Sequence, residues 1–196
     1  MNEMSTCLWV KIKQQPTPDH VYTFISYAIS NDSNAIAMEN EYKPGKCMLL
    51  ASLSGKKYWF TLGESTFVSW TFWCFTWKLQ SQDYLLYING NNLARSSEHS
   101  KSKPNHKQID GGGVLVLGQD QDNVGGGFFS GQAFQGDMTE FNLWNRFISK
   151  QEIQLLMMST CGIDDHDVIV SWHSSTFELF NVTEVEQMHF ENKCKY

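Results

Sequence analysis

Val114-Leu115-Val116-Leu117, running straight into Gly118-Gln119-Asp120-Gln121-Asp122-Asn123, joins a short apolar strand to a polar segment rich in side-chain oxygen. Four consecutive aliphatic residues bounded by glycines read as a buried β-strand. The segment after it places two carboxylates two residues apart, with amide oxygens between and beside them. Hard cations such as calcium take six to eight oxygens. Residues i and i+2 on an irregular segment converge on one ion, and the carbonyl between them supplies another ligand. The plainer alternative is a solvated turn, because Asp and Asn bond readily to their own backbone.

On both sides of this segment the chain reads as β structure. Polar positions alternate at the end of Cys7 to Lys13, and Gln14-Gln15-Pro16-Thr17-Pro18-Asp19 then breaks any regular element. Val21 to Ile29 is rich in β-branched and aromatic residues. Tyr58 to Leu62, Trp70 to Trp77 and Tyr84 to Ile88 read as further short strands, the last ending at Asn89-Gly90-Asn91, a hairpin signal. Ser96 to Gln108 reads as a polar surface loop, and the triplets Gly111–Gly113 and Gly125–Gly127 as turns. The single helical segment is Ser149 to Ser159: Ser149 caps, Glu152 completes a capping box, and Ile153, Leu156 and Met157 form an i, i+3, i+4 stripe. Closely spaced strands with one helix predict an all-β sandwich forming a single domain over residues 1–196.

The chain has 196 residues, 41% of them hydrophobic and 18% charged, so it buries a real core, roughly 70% of its extended surface. Fifteen Lys and Arg against 21 Asp and Glu give a net charge of −6, which argues against nucleic acid and anionic membranes as partners. No apolar run reaches the length needed to insert in a bilayer, and Met1 to Val10 lacks the layout of a signal peptide. The five cysteines form no Cys-x-x-Cys pair; they read either as buried free thiols or as two long-range disulfides with one left over. Asn31-Asp32-Ser33 and Asn181-Val182-Thr183 are glycosylation sequons compatible with secretion. Hydrolase signatures are missing, the six histidines show no diagnostic spacing, and neither glycine triplet carries a P-loop lysine. The chain therefore does not read as an enzyme.

The block from Leu117 to Asp122, through Gly125-Gly126 and on to Phe128, Gln132, Phe134 and Gly136, resembles the calcium loop of the pentraxins, the family of C-reactive protein and serum amyloid P component. It continues without a gap into Phe141-Asn142-Leu143-Trp144-Asn145 and the capped helix. The family's His-x-Cys-x-Ser/Thr-Trp signature is matched by Phe72 to Trp77 with Phe72 in place of histidine, and Ile25 to Ala28 and Val170 to Trp172 fall in the expected order. The Gln-Asp-Gln-Asp variant looks most similar to invertebrate C-reactive-protein-like pentraxins. The resemblance implies a two-sheet antiparallel jelly-roll sandwich, lectin- or laminin-G-like, with one α-helix packed on a face, together with secretion and ring-shaped homo-oligomers. It pairs Cys7 with Cys74 and Cys161 with Cys194, leaving Cys47 either buried or available for an intermolecular bond. It also implies additional strands before the first cysteine, which this sequence reaches almost at once, so the expectation is a domain without the family's N-terminal strands.

Carried over from the family, the calcium ligands fall on Ser33, Asn34, Asp120, Gln121, Asp122, Phe129 and Gln132. Two expected carboxylates have become Ser33 and Phe129. Affinity follows ligand charge, so one weakly held calcium is expected in place of two, with Asp32 beside Ser33 as a partial substitute. Glu39 stands where the resemblance puts an aromatic contact to choline, and no acid is evident near Lys56 and Lys57, so phosphocholine specificity does not transfer. The resulting expectation is a secreted, lectin-like recognition protein of innate immunity that binds anionic or carbohydrate ligands on cell surfaces through calcium. The alternative is a calcium-independent interaction or oligomerisation module, such as the pentraxin-like domain of an adhesion receptor.

Overall fold

In the computed structural model, residues 1–12, 20–81, 83–95, 107–158, 166–180 and 182 are described. Eleven strands follow in chain order: β1 (Glu3–Ile12), β2 (Val21–Ile29), β3 (Asp32–Lys43), β4 (Lys46–Leu53), β5 (Lys56–Leu62), β6 (Thr71–Lys78), β7 (Asp83–Ile88), β8 (Asn91–Arg95), β9 (Val114–Leu117), β10 (Gly136–Trp144) and β11 (Val168–Ser171). A 3₁₀ turn, Ser130–Gln132, precedes β10, and helix α1 (Lys150–Met158) lies between β10 and β11. The strands form two antiparallel sheets, one in the order β11-β10-β1-β6-β7-β8 and the other β5-β4-β3-β2-β9. This is the two-sheet jelly-roll sandwich anticipated above.

Successive side chains on a strand point to opposite faces, and the core follows that period. Leu8, Val10 and Ile12 of β1, with Trp73, Phe75 and Trp77 of β6, face Tyr22 and Phe24 of β2, Ile36 and Met38 of β3 and Tyr58 and Phe60 of β5. Full burial of one such side chain contributes about 1.5–3 kcal/mol, so this layer dominates the fold's stability. Phe24 meets Phe67 and Phe134 edge-on, at centroid distances of 5.2 and 5.5 Å. Phe134 thereby ties the segment after the acidic loop into the core.

The opposite face of the six-stranded sheet carries a second, smaller core. Cys7, Phe72, Cys74, Tyr87 and Trp144 project outward there and are covered by Ile148, Ile153 and Leu156 from α1 and its approach. The capping box forms reciprocally: the Glu152 N–H donates to Ser149 Oγ at 3.3 Å and the Ser149 N–H to Glu152 Oε2 at 2.7 Å. Cys7 and Cys74 sit in register on β1 and β6 and are joined as a disulfide, with Cα atoms 4.1 Å apart. Cys47 is fully buried, and its thiol donates to Asn40 Oδ1 at 2.6 Å, which settles between the two fates open to it in the sequence. Cys161, Cys194 and Asn181, and the loop expected over Ser96 to Gln108 apart from Lys107 and Gln108, lie outside the described residues.

The hairpin at Asn89-Gly90 joins β7 to β8 with φ of 48° and 75° at the two central residues, both in the left-handed region that Asn and Gly tolerate. Val21–Ile29, Val114–Leu117 and the helix fall within a residue of the sequence expectation, and β1, β5, β6 and β7 differ from it only at their ends. No sequence segment had been assigned to β3, β4, β8, β10 or β11.

Candidate functional site

The acidic loop starts where β9 ends. Strand β9 pairs with β2 through Ile25↔Leu117 and Ser26↔Val116, and at Gly118 the chain turns with φ of 81°, a conformation that favours glycine. The Gly118 N–H donates to Phe24 O at 3.1 Å, and Gly118 O accepts from the Phe134 N–H at 2.8 Å, so both ends of the loop are pinned at one residue. Asn123 and Gly126 exchange two backbone hydrogen bonds, of 3.2 and 3.0 Å. Gly127, at φ 74°, lies so close beneath Asp122 that a Cβ there would meet Asp122 Cβ at 2.7 Å. The second glycine triplet therefore serves the turn.

Gln121 anchors the loop to the sheet. It is fully buried, its Nε2 donates to Ser26 O and Val114 O, each at 3.0 Å, and its Oε1 accepts from the Gly125 N–H at 2.8 Å. Its backbone N–H donates to Ser26 Oγ at 3.2 Å. With the side chain committed in this way, the atom Gln121 offers an ion is its backbone carbonyl.

Asp120 is only 5% exposed. Its Oδ2 accepts from Gln132 Nε2 at 3.1 Å, which joins the loop to the 3₁₀ turn. Its Oδ1 is buried and has no hydrogen-bond partner among the described residues. A buried polar atom left unpaired costs about 1–3 kcal/mol, more when charged, which makes this oxygen the feature of the site that asks for a ligand. Asp122 is exposed nearby on the loop. Asn34 is exposed at the start of β3, with its N–H bonded to Asp32 Oδ1 at 3.0 Å, and Asn31 is exposed on the preceding turn. Phe129, where a carboxylate was expected, is 62% exposed, beside Phe128 at 53% and Val124 at 44%.

One contributor stood apart from the expected ligand set. Tyr22, Phe24 and Met38 point into the core, so Thr23 and its register partner Glu39 point to the outer face of the five-stranded sheet. Glu39 is half-buried, and its carboxyl is pushed up to about 7, first by burial and next by the negative charge of Asp120. In the sequence Glu39 is followed by Asn40 and Glu41, and no local pattern sets it apart. Its nearness to Asp120, 81 positions away, comes from sheet register. Among the described residues no three His, Cys, Asp or Glu side chains gather as a metal-binding group.

Comparison with known proteins gives one consistent result. The model of the Pentaxin family matches residues 1–186. Neuronal pentraxin-2 of the guinea pig, Cavia porcellus, is 28% identical over 175 residues, covering 89% of this chain and 38% of its own length. Pentraxin-related protein PTX3 of the mouse, Mus musculus, is 31% identical over 159 residues, covering 79% of this chain and 38% of its own. The chain thus spans well under half the length of these curated relatives. Among solved structures, the native heptameric SAP-like pentraxin from Limulus polyphemus superposes with a TM-score of 0.73 at 22% identity, over 90% of this chain and 79% of that one. The superposition supports the fold.

Proposed function

This chain belongs to the pentaxin family, and on that premise we propose that it is a secreted, non-enzymatic recognition protein that binds anionic or carbohydrate ligands through one calcium ion. The observation that carries the reading is Asp120: a buried carboxylate with one oxygen held by Gln132 and the other unpaired, on a loop whose shape is fixed by Gln121. Such an oxygen fits a hard cation better than it fits burial alone. Asp120, the Gln121 carbonyl, Asp122 and Gln132 are the ligands this loop offers, with Asn34 from β3. Calcium supplies a positive charge to which a phosphate, sulfate or carboxylate of a ligand binds directly.

Homo-oligomerisation belongs to the same reading. A site with few carboxylates binds weakly, and linked copies recover the deficit through effective concentration. The solved relative from Limulus polyphemus is heptameric, which supports assembly here. No helix among the described residues is long and apolar enough to cross a membrane. Calorimetric titration with calcium tests the proposal. Uptake at micromolar to millimolar calcium, abolished in Asp120→Asn, supports it; no heat above buffer at millimolar calcium overturns it.

A second reading rests on the exposed aromatic pair Phe128 and Phe129. Two exposed phenylalanines, one of them where the family resemblance implies a carboxylate, form a contact surface for protein, as in a calcium-independent interaction module. Ligand or partner capture that persists in chelator and is lost in Phe129→Ser favours it.

A further inference from the structure

Glu39 and Thr23 occupy opposite positions on β3 and β2 and share the outer face over which the acidic loop folds. The Thr23 hydroxyl is completely buried and, like Asp120 Oδ1, has no hydrogen-bond partner among the described residues. Register thus puts one unpaired oxygen, Thr23 Oγ, opposite the half-buried Glu39 carboxylate, and the other, Asp120 Oδ1, belongs to the loop that is bonded to β2 at Ser26. Gln121, next to Asp120, is bonded to Ser26, which pairs with Ala37 two residues from Glu39 on β3, so sheet register carries Asp120 toward Glu39; the negative charge of Asp120 helps to raise the Glu39 carboxyl. Lys57 is the one cation that offsets this, but it sits on β5, two strands from β3 and beyond β4.

We propose that Glu39 is a ligand of the same cation as Asp120, a carboxylate supplied from the sheet face in place of those absent at Ser33 and Phe129. The assignment rests on reading the loop as a cation site and changes its composition: a divalent ion here is balanced by one strand carboxylate and one loop carboxylate, with Asp122 at the exposed rim. Thr23 Oγ, directly across from Glu39, is a neutral oxygen donor on the same face. Because Glu39 is carried by a central strand paired on both sides, the ligand is held more rigidly than one on a loop, which raises affinity for a given charge.

The test compares wild type with Glu39→Gln, Glu41→Gln and Asp120→Asn by calcium calorimetry, and by thermal melting in chelator and in millimolar calcium. Glu41 lies two residues along the same face of β3 and serves as the charge-matched control. Glu39→Gln is expected to weaken calcium at least tenfold, with Glu41→Gln within twofold of wild type. In chelator Glu39→Gln melts above wild type, because an uncompensated charge is gone; in calcium the order reverses. That crossover also shows that the variant is folded. Equal calcium affinity for Glu39→Gln and wild type overturns the assignment while Asp120→Asn still abolishes binding. Wild type that takes up no calcium, or Asp120→Asn that binds as wild type does, overturns the loop site and the assignment together.

Discussion

Cys7 and Cys74 face each other across β1 and β6 at the same rung of the six-stranded sheet, and the bond between them lies beneath helix α1, among Phe72, Tyr87 and Trp144. It closes a separation of 67 residues within the denatured chain. On the chain-entropy model that closure contributes about 4 kcal/mol. Cys7→Ala with Cys74→Ala is expected to lower stability to urea by up to that amount without changing the far-UV spectrum of the native state. A loss below about 1 kcal/mol would show that the packing of the second core dominates.

The Ser149–Glu152 box sets an acid-side limit on α1. Burial raises the Glu152 carboxyl, but the Ser149 N–H, Arg146 at 2.6 Å and the Ser149 hydroxyl outweigh it and hold it below its ordinary value. A carboxyl that is more acidic folded than unfolded contributes stability that is complete above its unfolded value and disappears as pH falls through the folded one. Glu152→Gln should therefore flatten the decline in stability below about pH 4.5 while lowering the plateau at neutral pH. Ser149→Ala is expected to cost about 1 kcal/mol at neutral pH. Denaturation profiles from pH 3 to 8 check both.

Cys47 is expected to be unreactive in the native state, where it is fully buried. Burial pushes its thiol up to about 12, against the hydrogen bonds with Asn40 and Tyr42. Because the thiolate is the reactive species, native iodoacetamide treatment at pH 8 should leave the Cys47 peptide unmodified, with alkylation appearing only in denaturant. Peptide mapping by mass spectrometry reads this directly. Labelling of Cys47 in the native protein would mean that the sheet opens around β4.

The anchoring by Gln121 gives the acidic loop its shape, so its removal should act on calcium without touching a carboxylate. Gln121→Ala strands Ser26 O, Val114 O and the Gly125 N–H, at about 1–3 kcal/mol for each group left unsatisfied. Lower calcium affinity is expected together with proteolytic cleavage near Asn123 to Gly126 that calcium suppresses in wild type. Calcium affinity unchanged in Gln121→Ala would show that the loop holds its shape through the Gly118 and Asn123–Gly126 bonds alone.

The architecture could be read from the sequence where local chemistry and tertiary context agree. Val21–Ile29, with its β-branched and aromatic residues, and the capped segment after Ser149 needed nothing beyond their own side chains. Strand β4 escaped because most of Lys46–Leu53 is buried on both faces, which erases the alternation a half-exposed strand shows. Strand β10 begins with the largely polar stretch Gly136 to Glu140 and buries only its last four residues. Within the site, where Asp120 and Gln132 are bonded across 12 positions, Asp120 was legible from its own loop and Gln132 only through the family resemblance. Glu39 was not, since only the pairing of β3 with β2 and of β2 with β9 carries it to Asp120. The structural use of the Gln121 side chain was equally hidden, because its partners Ser26 and Val114 are set by register.

The helix covers one flat side of the sandwich, and the acidic loop folds over the other. Copies related by rotation about an axis normal to the sheets would all present their loops in one direction and their helices in the opposite one. Such an array meets a patterned target from a single side, and whatever docks on its reverse does so without competing for the same ground.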